Sequence, residues 1–137
     1  MQALSVAMQN AERNEVQVSF REQDILTFDA SSARESYDII VSNPPYIAEK
    51  EKAAMEPNVL DWEPSLALFV PDTDPLLFYR TIAKAGLTLL RLDGALYFEI
   101  NQVYGQETLA MLHEMGYHSV LLRKDLSGND RMIKAVR

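Results

Sequence analysis

Two consecutive prolines directly behind an apolar run constrain this chain more than any other feature. Residues 37–42, Tyr-Asp-Ile-Ile-Val-Ser, are nearly continuous in apolar and β-branched side chains. That pattern predicts a strand buried on both faces of a largely parallel sheet. Asn43-Pro44-Pro45-Tyr46 follows at once. Neither proline can donate a ladder hydrogen bond, so the strand has to stop there. The carboxyl end of a strand in an open α/β sheet is also where ligands bind.

The segments on either side alternate in type. Leu4, Ala7, Met8 and Ala11 recur at helical spacing over residues 2–14, and Asn14-Glu15 breaks the pattern. Val16, Val18 and Phe20 alternate with polar neighbours, which predicts a short strand ending near Asp24-Ile25-Leu26. Residues 29–36 are small and polar and suit a loop. Residues 47–71 are rich in charge and proline, a long loop with one helical turn. Leu76, Tyr79, Ile82, Ala83, Leu87 and Leu90 form one stripe of a helix over 75–92, ended by Asp93-Gly94. A strand over 95–100, a helix over about 105–115 stopped by Gly116, and strands over 117–124 and 131–136 complete the series. Ser127-Gly128-Asn129-Asp130 is the turn between the last two. This order predicts an α/β domain, with a mainly parallel sheet, helices on both faces and an antiparallel strand added at one edge.

Composition removes several kinds of chemistry. The 137 residues include no cysteine, which excludes disulfides and thiolate catalysis. His113 and His118 lie five apart, unlike a helical metal-ligand pair, and no metal is expected. They suit a helix surface and a strand edge. No apolar run is long enough to span a bilayer, no segment has a signal-peptide layout, and the cytoplasm is the simplest compartment. The net charge of −7 speaks against a phosphate backbone as partner and for a basic protein.

The tetrapeptide suits the presentation of hydrogen-bond acceptors to an NH2 group. Asn43 offers a side-chain carbonyl oxygen, and its place before a proline holds it extended. Pro44 offers a backbone carbonyl. Together they can take both hydrogens of an amide or amine, while Tyr46 stacks on its flat face. An amide nitrogen is a poor nucleophile because its lone pair is delocalised into the carbonyl. Two acceptors favour the charge that develops on it during attack on a methyl sulfonium, and alignment supplies the remainder. Asn43 and Pro44 are therefore the catalytic candidates, and Asn43, Pro44, Pro45 and Tyr46 bind substrate. A rigid turn ending a strand is the competing reading.

IVSNPPYI, Glu63-Pro64, Ala67-Leu68, Phe98-Glu99-Ile100 and Lys124-Asp125-Leu126 with Gly128, Asp130 and Arg131 together resemble the PrmC/HemK family, glutamine methyltransferases of peptide-chain release factors. The similarity runs from Ala3-Leu4 to Val136. The tetrapeptide alone is shared with adenine-specific DNA methyltransferases, and the later motifs narrow the choice. The resemblance implies a Rossmann-like methyltransferase fold with strand order 3-2-1-4-5-7-6, in which residues 16–20 are the third strand and 37–42 the fourth. It implies S-adenosylmethionine as cofactor, contacted by Asn43, with Asp24 and Ile25 flanking its adenine. It implies a class-1 release factor as protein substrate, with no direct binding of nucleic acid or membrane. Glu99 is either a site residue or a solvated strand end, and Asn101 stands where a glycine is usual. Glu63-Pro64 either shapes the substrate mouth or caps a loop. Trp62 suits a core anchor, and Lys124, Asp125 and Arg131 a brace for the final hairpin.

A methyltransferase of this kind needs a glycine-rich turn after its first strand and an acid after its second. The five glycines, Gly86, Gly94, Gly105, Gly116 and Gly128, form no such loop. The family pattern places that loop, two strands and a helical substrate-recognition domain before Met1. Residues 1–137 then read as the C-terminal portion of one catalytic domain, doubtful as an enzyme alone and open to homodimer formation. A DNA adenine methyltransferase and a non-catalytic binding remnant are the alternative classes.

Overall fold

The computed structural model describes residues 2–33, 36–48, 52 and 64–137, so Trp62 and Glu63 lie outside the described residues. Helix α1 (Gln2–Arg13) is followed by strands β1 (Tyr37–Ser42) and β2 (Ile47–Ala48), the one-turn helix α2 (Ser65–Leu68) and strand β3 (Phe69–Val70). Helix α3 (Leu77–Leu89), strand β4 (Leu90–Glu99), helix α4 (Gly105–Glu114) and strands β5 (His118–Lys124) and β6 (Asp130–Val136) complete the order. The main sheet runs β1-β4-β6-β5. Strands β1 and β4 are parallel, and β6 lies antiparallel to both β4 and β5. This is the 4-5-7-6 half of the strand order implied by the resemblance. A separate two-stranded parallel ladder pairs Ile47 with Phe69 and Ala48 with Val70.

Four expectations need correction. The antiparallel strand of the hairpin is not at the edge: β6 inserts between β4 and β5, which becomes the edge strand, so only the β1–β4 pair is parallel in the main sheet. Helices α3 and α4 pack on the same face. Each right-handed crossover advances in the same direction, from β1 to β4 and then to β5, and only a reversal of direction would move a helix to the other side. Strand β1 is accordingly not buried on both faces: Ile40 joins the core, whereas Ile39 and Val41 are 58% and 75% exposed. Finally, residues 16–20 form no strand. They run beside α1, along a groove shared with Met8, Ala11 and Glu12. Apolar alternation supplies a face, but a strand exists only where a neighbouring backbone pairs with it.

Helix α3 also ends three residues before the expected position 92. The helix stops at Leu89, Leu90 is already extended, and its N–H reaches the Gly86 carbonyl. Asp93 and Gly94 lie inside β4, with Asp93 at φ 62°. Tyr37 pairs with Leu90 and Ile39 with Ala95, so residues 91–94 bulge out of the ladder. Aspartate tolerates the left-handed region better than most residues, which allows the bulge.

The core lies between the α3–α4 layer and the inner face of the sheet, with Leu96, Phe98, Ile133 and Ala135 against Tyr79, Ile82, Ala83 and Leu112. Tyr79 meets Phe98 edge-to-face at 5.2 Å between ring centroids. Tyr117 donates its hydroxyl hydrogen to the Ala83 carbonyl at 2.8 Å, and burial pushes its phenol up to about 12. A Cβ at Gly86 would sit 2.5 Å from that hydroxyl oxygen. Gly86→Ala is therefore expected to destabilise the chain by about 1–2 kcal/mol, the overpacking outweighing alanine's gain of about 1 kcal/mol in helix propensity. Urea unfolding checks this. In a Tyr117→Phe background, where the hydroxyl is gone and the next atoms are at ordinary contact distance, the same substitution should stabilise the chain by up to about 1 kcal/mol.

The hairpin braces are as expected. Lys124 pairs with Asp130 at 2.9 Å and Arg131 with Asp125 at 3.3 Å. The Asp125 carboxylate also accepts the Ser127 and Asn129 N–H groups at 2.9 and 3.0 Å. The Asn129 amide above all holds its pKa below the ordinary 3.8. A lowered carboxylate pKa contributes stability that is complete above the unfolded value and is lost as pH falls through the folded one. Amide exchange at Ser127 and Asn129 should thus accelerate only below pH 3.8, relative to the rest of the hairpin.

Candidate functional site

The ladder between β1 and β4 ends at the pair Ser42–Phe98, one residue before the prolines. Asn43 is exposed there, Pro44 is buried, and Pro45 and Tyr46 are half-buried. The outer face of the sheet carries a groove of about 770 Å³ that begins at this point. Asn43, Val41, Tyr97 and Glu99 are among its lining residues. The carboxyl ends of the two parallel strands thus bring an amide and a carboxylate to one opening, with an apolar wall beside them.

Tyr46 is held at both ends. Its hydroxyl donates to the Glu99 carboxylate at 2.9 Å. Its backbone carbonyl accepts from Asn101 Nδ2 at 3.1 Å. Burial, and then the hydrogen bond and charge of Glu99, push the Tyr46 phenol above its ordinary value, so it remains a donor. Asn101, just beyond β4, caps the short 3-10 turn Gln102–Tyr104 by accepting the Val103 N–H at 3.0 Å. Its own N–H donates to the Tyr79 hydroxyl at 3.1 Å. Arg131 reaches the Ile100 carbonyl at 3.4 Å and lies close enough to favour the Tyr46 phenolate slightly.

The tetrapeptide and Glu99 therefore come together, and Asn101 joins them. Sequence reasoning noticed Asn101 only as a departure from a pattern. A polar residue immediately after the apolar end of a buried strand was the available signal. Asp24 and Ile25 are placed elsewhere. Asp24 is exposed and its carboxylate accepts the Leu26 N–H at 2.9 Å, closing a local turn. Ile25 packs against the core and lines a second groove with Arg80, Thr81 and Lys84 of α3. The two grooves share no lining residue. His113 and His118 are both exposed, on α4 and β5.

Comparison with known proteins adds an independent line. Residues 1–60 match the family model of the methyltransferase small domain. The release factor glutamine methyltransferase of Bacteroides thetaiotaomicron is 55% identical over 136 residues, covering 99% of this chain and 49% of that protein. The one from Flavobacterium psychrophilum is 48% identical over 132 residues, covering 96% of this chain and 46% of that protein. Over nearly its whole length the chain is similar to release factor glutamine methyltransferases. It spans about half the length of the curated relatives it matches. A methyltransferase from Pyrococcus furiosus superposes on 95% of this chain and 55% of its own, with a TM-score of 0.57 at 13% identity. That likeness is one of fold, and the fold is the Rossmann-like methyltransferase fold.

A sulfonium is cationic, and Asn43 and Glu99 at this opening carry oxygen atoms of the kind that would face it, while Arg123 and Lys134 line the same groove. The groove wall of Val41 and Tyr97 is apolar.

Proposed function

We propose that this chain forms the substrate-holding part of a methyltransferase that acts on the side-chain amide nitrogen of a glutamine in a class-1 peptide-chain release factor. The observation that supports this most directly is the position of Asn43-Pro44-Pro45-Tyr46. It lies at the carboxyl end of β1, fixed to the end of β4 through Glu99 and Asn101.

S-adenosylmethionine supplies the methyl group on its sulfonium. Asn43 Oδ1 and the Pro44 carbonyl accept the two hydrogens of the substrate NH2. This orients the nitrogen lone pair and favours the positive charge that grows on nitrogen during transfer. Glu99 brings a carboxylate to the opening and ties down Tyr46, while Arg123 and Lys134 line the same groove. Asp24 and Ile25 would contact the adenine only in an arrangement that brings them to the Asn43 groove, with which the Ile25 groove shares no lining residue here. The working place is the cytoplasm, where release factors act. Among the described residues, no helix is long and apolar enough to cross a membrane, and no group of three or more acidic or histidine side chains could hold a metal.

The decisive experiment is methyl transfer by the full-length protein to a release factor with an intact glutamine-containing loop. Labelling of that glutamine supports the reading. Labelling of duplex DNA, with the release factor untouched, overturns it.

The 137-residue chain by itself is a different matter. Strand β1 is at one end of the sheet, and Ile39, Val41 and Leu121 are 58%, 75% and 55% exposed. An exposed apolar edge recruits another strand. Sedimentation should therefore show concentration-dependent self-association, and calorimetric titration should show weak cofactor binding. A monomer with tight cofactor binding would refute both.

A further inference from the structure

We infer that Asn101 is a positioning residue for the tetrapeptide, holding Asn43 and Pro44 in register through the Tyr46 carbonyl. Asn101 is only 6% exposed, and burying an amide is unfavourable unless its polar atoms are satisfied. Its oxygen caps the turn at Val103, a task that serine, threonine or aspartate performs as well. Its nitrogen does something those residues cannot. It crosses to the Tyr46 carbonyl, 55 residues away in sequence, at 3.1 Å. On the other side the tetrapeptide is tied by the last ladder pair, Ser42–Phe98. Asn43, Pro44 and Pro45 are thus a three-residue span between two fixed points on β4 and its extension, with both proline rings limiting φ. Tyr79 steadies the Asn101 backbone at 3.1 Å, which links the clamp to the core. Release of the Tyr46 carbonyl leaves that end of the span held only through the Tyr46 hydroxyl on Glu99 and the Ile47–Phe69 pair, and the two acceptors lose part of their common aim.

This inference rests on the NH2-holding role of Asn43 and Pro44, and its test separates the two. Methyl transfer to the release factor is measured for Asn101→Asp, Asn101→Ser and, as reference, Asn43→Ala in the full-length protein. Aspartate and serine keep an oxygen for the Val103 cap. The carboxylate has no hydrogen to give the Tyr46 carbonyl, and the serine hydroxyl is too short to reach it. The expected result is a fall in kcat of about 10- to 100-fold, the scale of a misplacement near 1 Å. KM for the protein substrate should stay within about threefold, since bound-state contacts are kept. A purely structural role would lower the thermal midpoint and leave kcat intact at temperatures well below it. Wild-type kcat in both Asn101 variants, with Asn43→Ala inactive, overturns the positioning role alone. Wild-type kcat in Asn43→Ala overturns the acceptor pair and the positioning role with it.

Discussion

Asn43→Ala is expected to lower kcat for methyl transfer by about 10²–10³ while leaving stability unchanged, the usual loss when one preorganised electrostatic contact is removed. The side chain is exposed at the end of β1, beyond the last ladder pair, so its loss opens no cavity. On the proposed function, what disappears is one of two acceptors for the substrate NH2. That matters most as charge develops on nitrogen, so kcat should fall more than KM rises. Single-turnover transfer, compared with the thermal midpoint of the same sample, checks both halves. A variant with near-normal turnover would leave the tetrapeptide as a rigid strand terminator and nothing more.

Phe98→Ala should be the most destabilising single change in the core, at about 3–5 kcal/mol. Phe98 is 2% exposed and packs edge-to-face on Tyr79 at 5.2 Å. Truncation removes the apolar burial, the aromatic contact and the support beneath Tyr79. Against a typical total of about 5–15 kcal/mol, that is about a fifth of the stability or more. Urea unfolding gives the value, and Phe98→Leu, which refills most of the space, should cost markedly less. The same change should loosen the site. Phe98 pairs with Ser42 and precedes Glu99, and Tyr79 accepts the Asn101 N–H. A cost under about 1 kcal/mol would mean that the site can collapse around the missing ring.

Sequence reading placed most element types correctly where the signal is local. The α3 stripe is buried at Tyr79, Ile82 and Ala83, and Gly116 ends α4 with φ +97°. The helix break at Asn14-Glu15 is equally direct: α1 stops at Arg13 and Glu15 turns left-handed at φ 54°. Each of these depends on residues within one or two turns of chain. Residues 16–20 failed for the opposite reason. Their alternation was real, but a ladder needs a partner backbone that alternation does not specify. The bulge at 91–94 failed similarly, because Asp93-Gly94 was taken as a stop when β1 was already pairing with Leu90.

The amino-acid order by itself determined where a strand had to end, through two nitrogens without hydrogens, and which acceptors that ending offers. It also carried the resemblance to release factor glutamine methyltransferases, through motifs spread along the chain. Tertiary structure alone decided that β6 enters the sheet beside β4, that both crossover helices share one face, and that Tyr46 is tied at its two ends by Glu99 and Asn101. The physical reason is distance along the chain. A proline or a helical stripe acts on its neighbours, while a hydrogen bond across 55 residues exists only once the whole sheet has closed.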